Sequence, residues 1–286
     1  MRTRNTRPGK LSVRDLTIDF SSPVVMGILN TTPDSFSDGG IFNTVQSAVK
    51  QVRKMVQEGA LIIDIGGEST RPGSDPVSEE EELSRVMPVL KQAVSEFPEI
   101  IFSIDTTKFN VAEKALQAGA HIINDVSGLR KEPRFGRLCS DYDAGYILMH
   151  SVGNPKNMQK NPEYEDTIGE IGTFFEKNIQ KLKENGVKSI IIDPGIGFGK
   201  TLQHNLEIID SLQKFSKFNC PVMVGASRKS MIGELLQNRP VENRLAGTLA
   251  VHYHCLMQGA SILRVHDVQE AADSICVFNA LRMSTE

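Results

Sequence analysis

The sequence lacks the marks of several protein classes. Its four cysteines, Cys139, Cys220, Cys255 and Cys276, form no Cys-x-x-Cys pair and lie far apart. That dispersal argues against a disulfide frame or a zinc site and suits buried thiols of a reduced compartment. No run is apolar for the ~18 residues that a membrane span needs. No apolar segment follows the polar, basic start from Met1 to Lys10, so no secretory signal is expected. The chain has no basic block and no acidic tail, and its formal net charge is -3. A weakly acidic chain gains little non-specific attraction to nucleic acid, although a local cationic pocket stays open to it. The expectation is a cytoplasmic protein that binds neither nucleic acid nor membrane.

What is present is a regular alternation. The 286 residues are 40% hydrophobic and 23% charged, which suits a large core. Short apolar, β-branched runs at 23–30, 61–66, 100–106, 121–126, 145–150, 189–194, 221–227 and 261–266 read as buried strands. Charged amphipathic stretches at 45–58, 78–97, 110–118, 134–141, 165–185, 202–218, 241–258 and 268–283 read as helices. Ser78 with Glu81 fits a capping box, and Gly59, Gly119, Gly186 and Gly259 sit where left-handed helix caps are expected. Repeated strand–helix units predict an α/β protein with a parallel sheet. Eight of them, in a length near the roughly 250 residues typical of that fold, predict a single (β/α)8 TIM barrel over residues 1–286. An open eight-stranded sheet is the alternative. The alternating segment 11–20 precedes the first barrel strand and is expected to form a β-hairpin that closes the N-terminal end.

A TIM barrel carries its chemistry at the C-terminal ends of its strands. There the runs end on Asn30, on Glu68 to Gly73, on Asp105, on Asn124-Asp125, on Met149-His150, on Asp193, on Ser227-Arg228-Lys229 and on Arg264-Val265-His266. Arg71, Arg228, Lys229, Arg264 and His266 are candidate anion ligands, arginine offering a planar fork and lysine a point charge. Asp105, Asn124 and Asp193 can accept from a polar heterocycle with adjacent N–H donors. The expected ligand has one anionic end and one amide- or guanidine-like end. The long segments 30–40, carrying Phe36, and 68–75, turning at Pro72-Gly73, suit lids. The stretch Asp193 to Lys200 is glycine-rich but has no P-loop spacing; its glycines allow a tight turn that faces Phe198 to the mouth. His150, His252 and His254 read as structural or surface residues.

These motifs together resemble the bacterial dihydropteroate synthases. The match runs along nearly the whole chain: Met26-Gly27-Ile28-Leu29-Asn30 with Thr31 to Gly40, Asp64-Ile65-Gly66-Gly67-Glu68-Ser69-Thr70-Arg71-Pro72-Gly73, Ser103-Ile104-Asp105-Thr106, Ile123-Asn124-Asp125-Val126, Asp193 to Lys200, Ser227-Arg228-Lys229-Ser230 and Arg264-Val265-His266-Asp267. The resemblance implies a folate-synthesis transferase that joins (7,8-dihydropterin-6-yl)methyl diphosphate to 4-aminobenzoate, with Mg2+ and a homodimer. It implies pterin contacts from Asp105, Asn124, Asp193, Lys229 and Met149. It implies diphosphate contacts from Thr70, Arg71, Arg264 and His266, with Asn30 at the metal. It implies an aminobenzoate pocket of Phe36, Pro72, Phe198 and Ser227, with Lys229, Arg264 and His266 at the chemistry and sulfonamides as inhibitors. The chain departs from the family after strand five, where Met149-His150-Ser151-Val152-Gly153-Asn154-Pro155 replaces the usual Met-His-Met-x-Gly-x-Pro. Competing readings are a pterin-binding methyltransferase barrel, a catalytically silent paralogue and an aldolase with Lys229 as Schiff base.

Overall fold

In the computed structural model, residues 9–31, 40–69, 74–153 and 162–283 are described. Two short antiparallel strands come first, β1 (Lys10–Val13) and β2 (Leu16–Asp19), joined by a turn in which Arg14 takes a φ of 55°. Eight parallel strands follow: β3 (Val24–Asn30), β4 (Ala60–Gly66), β5 (Ile101–Asp105), β6 (Ile122–Asp125), β7 (Gly145–Met149), β8 (Ile190–Asp193), β9 (Met223–Val224) and β10 (Ile262–Val265). They are hydrogen-bonded in the order β8-β7-β6-β5-β4-β3-β10-β9. Ile192 N–H donates to Pro221 O at 3.0 Å, and the bridge between Ile192 and Val222 brings the two ends of the sheet together. The expected barrel is therefore present, closed through a single bridge. Its seventh strand is only two residues long. Pro221 has no N–H for the ladder and Gly225 weakens the strand beyond Val224.

The interior is layered because alternate residues of each strand point inward. The bottom layer takes one apolar side chain from every barrel strand: Met26, Ile62, Ile101, Ile122, Ile147, Ile191, Met223 and Ile262. The hairpin plugs this end with Val13, Ile18 and Phe20, which join the same cluster. Arg14 fastens it by donating to Leu116 O at 2.8 Å and Ala120 O at 2.9 Å. Two residues further up each strand, the inward positions are Ile28, Asp64, Ser103, Asn124, Met149, Asp193, Gly225 and Arg264. The barrel thus changes from oil to polar groups within one layer, and that polar layer is the floor of the open end.

Outward-facing Ile63, Ile65, Phe102, Ile104, Ile123, Leu148, Ile192, Val224 and Leu263 pack in the outer core against the helices. The helices are α1 (Gly40–Gln57), α2 (Glu79–Glu96), α3 (Phe109–Gln117), α4 (Phe135–Asp141), α5 (Thr167–Glu184), α6 (Leu202–Asp210), α7 (Ser230–Leu235), α8 (Leu245–Met257) and α9 (Val268–Met283). Gly59 and Gly259 take φ of 98° and 97°, the left-handed caps expected after α1 and α8. Ser78 Oγ accepts from Glu81 N–H at 3.1 Å, but the Glu81 carboxylate turns to Arg85, so only half of the capping box forms. Two expected helices are interrupted: 202–218 changes to a 3-10 helix from Leu212, and 241–258 opens as a 3-10 turn before α8. The short helix α7 lies outside the eight helical stretches expected from periodicity.

Candidate active site

The centre of the polar floor is Arg264, on the inner face of β10. Its Nε donates to Asp64 Oδ2 at 2.7 Å and its Nη2 to Asp105 Oδ2 at 2.8 Å. Asn124 Nδ2 donates to the same Asp64 oxygen at 2.8 Å. Residues from β4, β5, β6 and β10 therefore meet in one buried network. One guanidinium is shared by two carboxylates and cannot fully neutralise both. Burial pushes Asp105 up to about 8, with Arg264 opposing and Asp64 adding to the rise. Burial thus works against the charged form of Asp105, and the guanidinium of Arg264 works for it. Burial works against the charge of Arg264, but Asp64 and Asp105 outweigh it and hold the guanidinium charged.

Beside this network stand Asp193 and Lys229. Gly195 N–H donates to Asp193 Oδ1 at 2.7 Å, which fixes the carboxylate at the end of β8. Burial raises Asp193 above the usual carboxylate range, with Lys229 pulling the other way. Burial lowers Lys229 to about 8, with Asp193 opposing. The Lys229 ammonium lies over the Phe198 ring at 4.4 Å and donates to Ile196 O. Lys229 therefore ties the β8–α6 loop, through Ile196 and Phe198, to the start of α7.

That loop is held from behind by Lys200, 3% exposed, which donates to Phe198 O at 3.1 Å and His150 O at 3.3 Å and lies 3.1 Å from His150 Nδ1. Burial lowers Lys200 to about 7, against the pull of Asp193. Burial, then the charges of Lys200 and Arg130, push His150 down to about 2, so its imidazole is neutral and structural. At the rim, Ser227 Oγ lies 3.0 Å from His266 Nδ1. Arg228 is committed elsewhere: its guanidinium makes a two-pronged pair with Asp267, with Nε 2.9 Å from Oδ2. Asn30 closes β3 at the same end of the barrel, level with Gly66 of β4. The arrangement is a buried floor of carboxylates and an amide around one guanidinium, with Lys229 beside it.

Comparison with known proteins gives this site a lineage. The family model of pterin binding enzymes matches residues 26–266. The dihydropteroate synthase of Escherichia coli (strain K12) is 46% identical over 279 residues, covering 97% of this chain and 98% of that protein. The chain belongs to the dihydropteroate synthase family. It is similar to the crystal structure of the Yersinia pestis dihydropteroate synthase with a sulfonamide drug complex, with a TM-score of 0.89 and 44% identity over 96% of this chain and 99% of that one. It is equally close to the Xanthomonas albilineans dihydropteroate synthase with 4-aminobenzoic acid, with a TM-score of 0.89 and 39% identity over 97% and 99% of the two chains.

Of the positions that the dihydropteroate synthase resemblance singles out, Asp105, Asn124, Met149, Asp193, Ser227, Lys229, Arg264, His266, Phe198 and Asn30 all come from the C-terminal half of the barrel strands or the loops just beyond. Phe36, Thr70, Arg71 and Pro72 lie outside the described residues, as does the end of the divergent segment after Gly153. Sequence reasoning missed Asp64, Ser103 and Lys200 as members of the site. Asp64 had a signal: a carboxylate inside an otherwise apolar strand, Ile62-Ile63-Asp64-Ile65, in the inward register of Ile62. Asp125, next to Asn124, points outward and is structural. It accepts from Tyr146 OH at 2.6 Å and from the N–H groups of Ser127 and Leu129, shaping the turn after β6.

Proposed function

We propose that this chain joins a (7,8-dihydropterin-6-yl)methyl diphosphate to 4-aminobenzoate, giving 7,8-dihydropteroate and diphosphate. The arylamine lone pair attacks the exocyclic methylene as its C–O bond breaks. Diphosphate leaves with the electron pair, and the new ammonium releases its proton to solvent. The amine is neutral at pH 7, so no strong general base is demanded. The observation that carries this reading is the floor itself: Asp105, Asn124 and Asp193, each 7% exposed or less, converge beside the charged side chains of Lys229 and Arg264. The amino-pyrimidine edge of a pterin presents parallel N–H donors that a carboxylate such as Asp193 accepts bidentately. Met149 and Lys229 complete the cradle.

Charge neutralisation makes diphosphate a leaving group, and electrostatic stabilisation of this kind is often the largest catalytic effect. Arg264 and His266, with Thr70 and Arg71, take that role, and Phe36, Pro72, Phe198 and Ser227 line the aminobenzoate side. The family implies Mg2+. Among the described residues no three His, Cys, Asp or Glu side chains come together as a metal cage. Asn30 offers one hard, neutral oxygen, a donor set that fits a Mg2+ held mainly by substrate phosphates and water. Such an ion supplies Lewis-acid neutralisation of the departing diphosphate. A homodimer belongs to the same proposal. It is supported by Val277 and Leu281, each 54% exposed and one turn apart on α9, and is checked by light scattering. Four free cysteines suit the reducing cytoplasm.

The decisive assay is diphosphate release. It is expected only when both the pterin diphosphate and 4-aminobenzoate are present. Release that needs neither, or full dihydropteroate formation by Asp193→Ala or Arg264→Ala, refutes the assignment. Borohydride trapping of Lys229 with a carbonyl substrate would favour the aldolase reading instead.

A further inference from the structure

The inner faces of β4, β5 and β6 carry three polar side chains in one layer: Asp64, Ser103 and Asn124, exposed by 1%, 0% and 2%. Each has one buried atom with no hydrogen-bond partner, namely Asp64 Oδ1, Ser103 Oγ and Asn124 Oδ1. Buried polar atoms are nearly always satisfied, so three orphans on adjacent strands mark a place built for something beyond the chain. The second Asp64 oxygen is heavily used: Oδ2 accepts from Asn124 Nδ2 at 2.8 Å and from Arg264 Nε at 2.7 Å. A carboxylate that already accepts from a guanidinium accepts again and does not donate. The bond therefore decides which end of the Asn124 amide faces Asp64: the NH2 group. Its carbonyl oxygen is left as an acceptor.

We propose that Asp64 is a positioning residue: it locks the Asn124 amide with its carbonyl toward the substrate, so that Asn124 reads a ring N–H, and it holds Arg264 in place beside it. The inference rests on the pterin reading above. The role assigned to Asp64 is exercised through its neighbours: it sets what they can accept. A heterocycle with an N–H donor at that point is bound, and one with an acceptor there meets a lone pair. Without Asp64 the amide is free to turn over and present NH2 instead, and Arg264 keeps only Asp105.

The test measures binding of 6-hydroxymethyl-7,8-dihydropterin to the full chain by titration calorimetry, which does not depend on turnover. Asp64→Asn is expected to weaken binding by roughly tenfold to a hundredfold. KM for 4-aminobenzoate is expected to stay within about threefold of wild type. In the swapped variant Asp64→Asn/Asn124→Asp the amide–carboxylate bond is restored with an acceptor still facing the ring. The swap is expected to recover at least about tenfold of the lost affinity, which a merely structural role for Asp64 does not predict. Wild-type affinity in Asp64→Asn, or a swap no better than the single variant, overturns the inference. Should the variants fail to fold, a crystal structure of the wild-type chain with 6-hydroxymethyl-7,8-dihydropterin decides it. Asn124 Oδ1 on a ring N–H supports the proposal, and its NH2 group turned to the ring overturns it. A wild type that binds the pterin but releases no diphosphate would refute the proposed reaction and leave this inference standing.

Discussion

Replacing Lys200 with methionine keeps the stem that fills the space behind Phe198 and removes only the amine. The amine donates to Phe198 O at 3.1 Å and His150 O at 3.3 Å and sits 3.1 Å from His150 Nδ1, joining the end of β7 to the loop after β8. Hydrogen bonds to a charged group contribute about 1.5–3 kcal/mol each, yet burying this amine takes much of that back, as its fall to about 7 shows. A net loss of about 2 kcal/mol is the expectation. For a chain of this size that is a drop in Tm of about 3 °C. The loosened Phe198 is expected to raise KM for 4-aminobenzoate about tenfold, with pterin affinity little changed. The pH dependence gives a sharper check. In the unfolded chain Lys200 keeps its proton to high pH, whereas in the folded chain it loses it near 7. Between pH 7 and 9 the unfolded state therefore binds more protons, so the wild type gains stability with rising pH and the variant, lacking the group, does not. The stability gap between them should widen by about 2 kcal/mol across that interval. Calorimetric melts at both pH values, with steady-state kinetics at pH 7, measure all three effects. An unchanged KM for 4-aminobenzoate together with a pH-independent gap refutes the reasoning.

Other consequences concern single groups. Lys229, lowered to about 8, loses its charge above that pH, so kcat/KM for the pterin diphosphate should fall on the alkaline side. Lys229→Arg, which does not titrate, should abolish that limb; a limb that persists belongs to Asp105 and contradicts the assignment. His252, 0% exposed on α8, is held neutral by burial, which lowers it to about 4. Its contribution is intact above its ordinary value and is lost as pH falls below it, because only the unfolded state takes up the proton. His252→Leu should therefore lose about 2 kcal/mol less than wild type between pH 7 and pH 5, read from urea midpoints. Phe20→Ala opens the hairpin plug at the opposite end from the site and should cost about 3–5 kcal/mol while leaving kcat at 25 °C near wild type. A cost below about 1 kcal/mol would mean that the hairpin does not close the barrel.

The primary structure alone determined the fold and most of the residues that reach the open end of the barrel, because both are written in short-range patterns. Eight apolar runs separated by amphipathic helices leave few ways to bury a parallel sheet, and a residue that ends a buried run has to meet solvent or a ligand. Hence Asn30, Asp105, Asn124, Asp193 and Arg264 could be named from local context. The limits of α6, the two-residue β9 and the short α7 were not legible, since they depend on how neighbouring elements compete for the same space. Nor was the network under the site. Asp64 and Arg264 are 200 positions apart, and only the pairing of β3 with both β4 and β10 brings the inner faces of those two strands within reach of each other. Lys200 looks in sequence like the polar end of a glycine loop; its burial against His150 is made by β7, fifty residues earlier. Spacing along a strand says which side chains face inward. Which of them share a proton, a guanidinium or an amide is decided across strands, where the distance between partners is a property of the folded barrel alone.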